Sequence, residues 1–188
     1  TLSRLEGWRR SRADNHMVDV TYEVNIRKAK EYKIDSISGY FQDFRYLDNY
    51  RANPLKLRNP STMFLRLEES VRNQIYLAVH VRRGDFIGQS SSHGCISANW
   101  YVREIGTLIN DYSDIQQIVF FSDDMEWVEQ NILDKIKPCK IEVVLSASEL
   151  VDPAESWTLI SHANFIVCAN STFSLTASYF SKAKVIIP

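Results

Sequence analysis

The most regular hydrophobic pattern of the chain begins at residue 74. Residues 74–81 (QIYLAVHV) form a mostly apolar run, which is typical of a strand that is buried on both faces of a parallel sheet. Similar apolar runs at residues 117–121, 140–146, 164–169 and 183–188 predict further strands.

Helical patterns alternate with these strands. Apolar residues recur at helical spacing from about residue 99, at residues 125–136 and 155–162, and after the turn at residues 170–174. A further helix, capped by Ser61, is predicted to run to about Val71. Alternating strands and helices predict an α/β protein with a Rossmann-type parallel sheet. We place a domain boundary near residue 73, between a partial, more helical N-terminal part (residues 1–73) and the sheet domain (residues 74–188).

The N-terminal part has a less regular pattern. Residues 19–25 alternate in a way that predicts a strand, and the basic residues 27–33 are typical of a solvated helix face. Residues 36–47 are rich in aromatic side chains, which favours a buried position or the lining of a cleft.

Polar side chains follow the predicted strands at the points where the strands end. The carboxyl ends of parallel strands meet at one edge of a sheet, where ligands of open α/β sheets bind. We therefore expect these clusters to converge: His80, Arg82, Arg83 and Asp85; Ser122, Asp123 and Asp124; Ser146 and Ser148; and Asn170, Ser171, Thr172 and Ser174.

These residue types suit a phosphate ligand. Arginine recognises planar or two-pronged acceptors such as phosphate, and Arg82 and Arg83 are adjacent. The alternative is a surface strand end at which these arginines only pair with Asp85. The turn at residues 170–174 (NSTFS) puts backbone N–H groups and hydroxyls at a helix N-terminus, which favours a phosphate there. The sequence has no G-x-G-x-x-G segment and no P-loop, which counts against the usual NAD and ATP sites.

Asp123 and Asp124 have two interpretations. Aspartate is favoured at helix N-caps, and a pair of aspartates also suits a metal ion. The neighbouring arginines already supply positive charge, so we favour capping with a polar contact to a ligand, and we expect no metal. His93 and His162 have no partner at metal-ligand spacing.

Composition limits the classes of partner. The chain has 188 residues and a formal net charge of -1, which gives no general attraction to nucleic acid or anionic membranes. Cys95, Cys139 and Cys168 are widely spaced, so we expect free thiols and a reducing compartment. No segment is apolar for long enough to span a bilayer, and the chain begins with Thr rather than Met.

Three segments resemble the signature motifs of α-1,2-fucosyltransferases (glycosyltransferase family 11). They are residues 80–86 (HVRRGDF), 120–127 (FFSDDMEW) and 169–174 (ANSTFS). Residues 39–42 (GYFQ), 93–95 (HGC) and 100–101 (WY) are similar to lesser landmarks of that family, and all of these matches occur in the same order. The family's usual opening segment Gly-Gly-Leu-Gly-Asn-Gln is absent, so we expect the chain to be a fragment.

The resemblance implies a GT-B-like fold and an enzyme. The implied reaction moves L-fucose from GDP-β-L-fucose to the 2-OH of a galactoside acceptor, with inversion and without a metal or other cofactor. Residues 1–73 would belong to the acceptor-side domain and residues 74–188 to the domain that binds GDP-fucose.

The resemblance also implies roles for single residues. Arg82 would bind the β-phosphate, with Arg83 in support, and His80 would lie near the nucleoside. In related α-1,6 enzymes an acidic residue reads the guanine edge; the matching position here is Ser156, and we assign the role to the neighbouring Glu155. Asp85 would be the base or would instead fix Arg82. The other implied donor contacts are Ser122, Asp123, Asp124, Asn170, Ser171, Thr172 and Ser174. The sequence departs from the family at Leu175 and Thr176, where two tryptophans are usual.

Two other functions remain possible on this sequence: a non-catalytic nucleotide-sugar or glycan-binding module of the same fold, and another GT-B enzyme of the protein O-fucosyltransferase type. The expected location is cytoplasmic and bacterial, peripheral to the membrane, or the Golgi lumen if an N-terminal anchor is missing.

Overall fold

The structure is a computed structural model of the chain. It describes residues 16–18, 36–38, 45, 57–84, 86–87, 94–136, 141–145 and 152–188. The chain divides into two compact units, Thr1–Pro54 and Leu55–Pro188.

The first unit contains two short parallel strands. Strand β1 (His16–Val18) pairs with β2 (Ser36–Ser38), and His16 lies opposite Ser36. The strand predicted at residues 19–25 and the helix predicted at residues 27–33 lie outside the described residues.

The second unit is built on a parallel sheet of five strands in the order β5-β4-β3-β6-β7. This arrangement confirms the predicted Rossmann-type sheet. The strands are β3 (Tyr76–Val81), β4 (Gln117–Ser122), β5 (Glu142–Leu145), β6 (Phe165–Val167) and β7 (Lys184–Ile186).

The strand order reverses at β3. The chain runs outward from β3 through β4 to β5 and then crosses back to β6 on the other side of β3. Val81 at the end of β3 lies opposite Ser122, and Val79 lies opposite Val167 at the end of β6. In open α/β sheets such a reversal leaves a crevice beyond the carboxyl ends of the strands, where ligands bind.

The helices lie close to their predicted positions. They are α1 (Thr62–Val71), α2 (Ala98–Asp111), α3 (Met125–Val128), α4 (Asp134–Ile136), α5 (Pro153–His162) and α6 (Thr172–Phe180). One continuous helix was expected at residues 125–136, but a π-helical segment, Glu129–Leu133, joins α3 to α4. Within this segment Asn131 Nδ2 donates to the carbonyl of Trp127 (3.0 Å). Side-chain bonds to the helix backbone commonly accompany such irregular turns.

Strand β3 is buried on both faces, as its apolar sequence predicts. Tyr76 and Ala78 face the cluster formed with α1, α5 and α6, whereas Leu77, Val79 and Val81 face the cluster formed with α2 and residues 128–136. The sheet therefore lies between two layers of helices, and the residues that follow β3 emerge between those layers.

Helix α1 belongs to this second unit. Phe64, Leu67 and Val71 are buried in the same cluster as Tyr76. The compact units therefore divide after Pro54, upstream of the boundary expected near residue 73. The roles expected for the two parts of the chain stay predictions.

Two further expectations concern thiols and membranes. Cys95 and Cys168 are free cysteines, and Cys139 lies outside the described residues. In the part of the chain that the structure describes, no helix combines the length and the apolar character that a membrane crossing requires.

Candidate functional site

The carboxylate of Asp123 connects the ends of β3 and β4. Its Oδ2 lies 2.9 Å from Nη1 of Arg82. Its Oδ1 accepts from the backbone N–H of Arg83 (2.9 Å), and Oδ2 also accepts from the N–H of Gly84 (3.1 Å). The carboxylate directly after β4 thus holds both the arginine side chain and the turn that follows β3.

Gly84 allows this close approach. A Cβ atom at this position would lie 2.7 Å from Oδ2 of Asp123, closer than real Cβ contacts. The absence of a side chain at Gly84 is therefore what lets the carboxylate reach the two backbone N–H groups.

Arg83 is held by a second set of contacts. Its Nε donates to Oδ2 of Asp124 (3.1 Å), and its guanidinium lies over the ring of Trp127, 3.8 Å from the centroid. The side chain of Arg83 is 17% exposed and that of Arg82 is 37% exposed. The adjacent arginines therefore differ in role: Arg83 is packed into the protein, and Arg82 reaches the edge of the sheet.

The capping expected of the aspartate pair is confirmed for Asp124. Its Oδ1 accepts from the N–H of Trp127 (3.1 Å) at the start of α3, and its own N–H donates to Oγ of Ser122 (3.0 Å). Asp123 does not cap the helix, since its oxygens face Arg82, Arg83 and Gly84.

The N-terminus of α6 follows β6 at the same edge of the sheet. Ser171 is the N-cap, and its Oγ accepts from the N–H of Phe173 (3.3 Å). Asn170 and Thr172 are exposed, as a ligand contact requires. Ser174 is different: it is fully buried, its carbonyl lies 3.7 Å from Sγ of Cys168, and its hydroxyl does not reach the surface. A direct contact between Ser174 and a ligand does not fit this structure, because the helix turns that side chain into the core.

His80 connects the end of β3 to α6. Its ring lies 5.3 Å from the ring of Phe173, and the residue is only 7% exposed. Burial lowers the pKa of His80 to about 4, against the opposing effect of Asp123 and with the help of Arg82. Its Nδ1 is buried without a hydrogen-bond partner among the described residues. His80 is therefore a neutral imidazole at pH 7, and it lies at the same end of β3 as Arg82.

Glu155 lies in the first turn of α5 and is 2% exposed. Its Oε1 accepts from the N–H of Ser61 (2.5 Å), and its Oε2 accepts from Oγ of Ser61 (2.8 Å). Both oxygens thus serve the N-terminus of α1. The contact with guanine stays a prediction, and in this structure both carboxylate oxygens are bonded to Ser61.

Several expected site residues lie outside the described part of the chain: Asp85, His93, Ser146 and Ser148. Among the residues that are described, no group of three or more His, Cys, Asp or Glu side chains is arranged to hold a metal ion, and independence from metal stays a prediction. His162 is exposed at the end of α5.

A family model named Glycosyl transferase family 11 matches residues 30–187. The chain belongs to this family.

Curated relatives agree with this assignment at low identity. The chain is 30% identical over 146 residues to the O-antigen biosynthesis glycosyltransferase WbnK of Escherichia coli, covering 72% of the chain and 47% of the relative. It is 26% identical over 165 residues to an alpha-1,2-colitosyltransferase of Escherichia coli, covering 81% and 53%. It is also 26% identical over 157 residues to galactoside 2-alpha-L-fucosyltransferase SEC1 of Bos taurus, covering 77% and 42%. The chain spans about half the length of the curated relatives that it matches.

A solved structure supports the fold. POFUT1 in complex with GDP aligns with a TM-score of 0.59 at 14% identity, covering 86% of this chain and 58% of that one. At this identity the match shows the fold alone, and it confirms the expected GT-B-like architecture.

Three features of the site were not anticipated from the sequence. They are the stacking of Arg83 on Trp127, the contact of His80 with Phe173, and the need for glycine at position 84. The stacking of Arg83 on Trp127 had a signal in the sequence. Trp127 comes three positions after the N-cap Asp124, and residues at this spacing lie close together at a helix N-terminus. The other two depend on which strands lie side by side.

Proposed function

We propose that the chain carries the donor site of a glycosyltransferase that moves L-fucose from GDP-β-L-fucose to the 2-OH of a galactoside, with inversion and without a metal. The observation that carries this proposal is the position of Arg82. Asp123 holds its guanidinium at the edge of the sheet, beside the reversal of strand order and on the same edge as the N-terminus of α6.

Arg82 suits the diphosphate of the donor. A guanidinium has five N–H donors in a planar fork, so a carboxylate on one side is compatible with a phosphate on another. The N-terminus of α6 adds a partial positive charge and backbone N–H groups near Thr172. These groups favour an anion at this edge of the sheet, although the net charge of the whole chain is -1.

The same groups favour the reaction as well as binding. When fucose leaves, negative charge grows on the diphosphate while the sugar becomes positively charged. A cation that is already oriented stabilises the transition state more than the ground state. Removal of one such group typically raises the barrier by about 3–4 kcal/mol.

Inversion requires one displacement and a base for the proton of the acceptor hydroxyl. We propose Asp85 for this base, because in the sequence it directly follows Gly84 and comes three residues after Arg82. The alternative is that Asp85 only fixes the turn. A substitution Asp85→Asn that lowers kcat and leaves GDP affinity unchanged favours the base, whereas a loss of GDP affinity favours the fixing role.

His80 is proposed to contact the nucleoside. A neutral imidazole offers one hydrogen-bond donor and one acceptor, which suits the hydroxyl groups of ribose better than a second positively charged side chain would. His80 lies near the end of β3, two residues before Arg82, which supports this role.

A second donor is favoured by one relative. The alpha-1,2-colitosyltransferase, named for the transfer of colitose, is 26% identical to 81% of this chain. Colitose is a deoxy sugar related to fucose, so we propose GDP-colitose as the alternative donor for this chain; the two donors would differ only at the sugar. Assays with GDP-fucose and GDP-colitose on a galactoside acceptor, followed by linkage analysis of the product, decide between them.

Calorimetric titration of GDP, with UDP as control, tests the donor site. We expect GDP to bind the wild-type chain, UDP to bind much more weakly, and Arg82→Ala to lose GDP binding while it remains folded. Binding of GDP without transfer to any galactoside would favour the non-catalytic module. The absence of GDP binding to the folded wild-type chain would contradict the proposed function.

A further inference from the structure

We infer that Asp123 is a positioning residue, which acts on the donor only through Arg82 and the turn after β3. This inference rests on the proposed function, in which Arg82 binds the diphosphate. It replaces the direct donor contact that the family resemblance implied for Asp123.

The contacts of Asp123 support this role. Its two oxygens bind Nη1 of Arg82 at 2.9 Å and the N–H groups of Arg83 and Gly84 at 2.9 and 3.1 Å. All three partners belong to the segment directly after β3, whereas Asp123 directly follows β4. The carboxylate therefore fixes one strand end from the other, and its side chain is only 24% exposed.

A carboxylate in this place would oppose the phosphates if it faced them. Two negative groups at short distance repel each other, and the repulsion is stronger in a partly buried site. Turned toward a guanidinium and two N–H donors, the same charge instead holds the cation in one orientation. An arginine that is already oriented loses less side-chain entropy when it binds a phosphate.

Gly84 provides a second way to disturb the same carboxylate. An alanine Cβ would lie 2.7 Å from Oδ2 and 3.4 Å from Cγ of Asp123. The carboxylate cannot move away without lengthening its contacts with Arg82 and the turn. Gly84→Ala and Asp123→Asn should therefore produce the same defect by different routes.

The chain offers matched controls for both substitutions. Apart from the neighbouring backbone of its own helix, a Cβ atom at Gly106 in α2 would have no atom within 4 Å, so Gly106→Ala tests the change of residue type without a clash. Asp114 is exposed in the turn before β4, at the opposite edge of the sheet, so Asp114→Asn tests the loss of one negative charge.

The first measurement is made without ligand. Side-chain NMR of the arginines in the wild-type full chain should show slow, hindered motion of the Arg82 guanidinium. We expect faster motion in Asp123→Asn and Gly84→Ala, and no change in the two controls. An unchanged Arg82 signal in both variants would overturn the positioning role.

The second measurement compares GDP with inorganic pyrophosphate in calorimetric titrations of the same variants. A role through Arg82 lowers both affinities by the same factor, about tenfold, which corresponds to one charge-assisted hydrogen bond. A loss of GDP affinity with unchanged pyrophosphate affinity would mean that Asp123 touches the nucleoside, and it would overturn the inference.

These outcomes separate the inference from the proposed function. If the wild-type chain binds GDP and Arg82→Ala does not, but Asp123→Asn and Gly84→Ala bind like the wild type, the positioning role fails while the proposed function stands. If the wild-type chain binds neither GDP nor pyrophosphate, the proposed function fails and the inference fails with it. Thermal unfolding of each variant distinguishes a loss of affinity from a loss of the folded structure.

Discussion

Glu155 and Ser61 lie 94 residues apart in sequence and are joined by two hydrogen bonds, of 2.5 and 2.8 Å. Ser61 is the N-cap of α1, and its Oγ also accepts from the N–H of Phe64 (3.0 Å). A buried carboxylate on α5 therefore supports the first turn of α1. Negative charge near a helix N-terminus is favourable, because the N–H groups there have no partner within the helix.

This contact predicts that Glu155 contributes to stability. Glu155→Ala leaves the N–H and Oγ of Ser61 without their buried acceptor, so we expect the free energy of unfolding to fall by about 2–4 kcal/mol. Ser61→Ala should cost less, about 1–2 kcal/mol, because the backbone N–H still reaches Glu155. Urea denaturation measures both. Glu129→Ala, at an exposed position, is the control and should change little.

The opposite result would restore the guanine role. If Glu155→Gln unfolds like the wild type but no longer distinguishes GDP from UDP, the carboxylate reads the base, and the pairing with Ser61 is not its main task.

Substitution of Arg83 is predicted to lower mainly the stability of the fold, whereas substitution of Arg82 is predicted to lower mainly the affinity for GDP. Arg83→Ala removes the pair with Asp124 and the stacking on Trp127, so we expect a loss of about 1–3 kcal/mol in the free energy of unfolding. Arg82→Ala should cost less than about 1 kcal/mol, because its side chain is 37% exposed, but it should abolish GDP binding. Denaturation and calorimetric titration of both variants check this division. Equal losses of stability and affinity in the two variants would contradict it.

His80 predicts a pH dependence of stability. Its pKa falls from 6.5 in the unfolded chain to about 4 in the folded one, because burial disfavours the charged ring. Between these values the unfolded state binds more protons, so stability is lost as the pH falls from about 6.5 toward 4 and the loss levels off below that. The contribution is about 3 kcal/mol.

His80→Gln should remove this part of the pH dependence. Urea denaturation between pH 4 and pH 7 measures it, with His162→Gln as the control at an exposed position. An NMR titration in which the ring of His80 becomes protonated near pH 6.5 would contradict the prediction.

Substitutions in the pair of Trp157 and Thr176 are predicted to lower stability without changing the affinity for the donor. Its Nε1 donates to Oγ1 of Thr176 (3.1 Å), and its ring packs edge-on against Phe180 at 5.3 Å. Thr176→Val removes the acceptor and keeps the shape, so we expect a loss of about 1 kcal/mol in stability and no change in GDP affinity. The double variant with Trp157→Phe should be non-additive, since both substitutions remove the same bond. A reduced GDP affinity would mean that this pair reaches the donor site.

The order of elements could be predicted from the sequence because its signals are local. The alternation of apolar runs predicted every strand of the large sheet, and Ser61 marked the start of α1. The sequence also placed Arg82, Asp123 and Ser171 at one edge, because parallel strands with intervening helices allow no other arrangement of their ends. A side-chain cap such as that of Ser61 on Phe64 joins residues three positions apart, so a sequence displays it directly.

The pairing of side chains was decided only by the tertiary structure. The sequence did not show the contact of Arg82 with Asp123, and it favoured a guanine contact for Glu155 and a phosphate contact for Ser174. In the structure Arg82 contacts Asp123, Glu155 contacts Ser61, and Ser174 is buried. These outcomes depend on strand register and helix rotation, which move a side chain by several ångströms. A hydrogen bond or an ion pair is gained or lost within about one ångström, so no local pattern determines it.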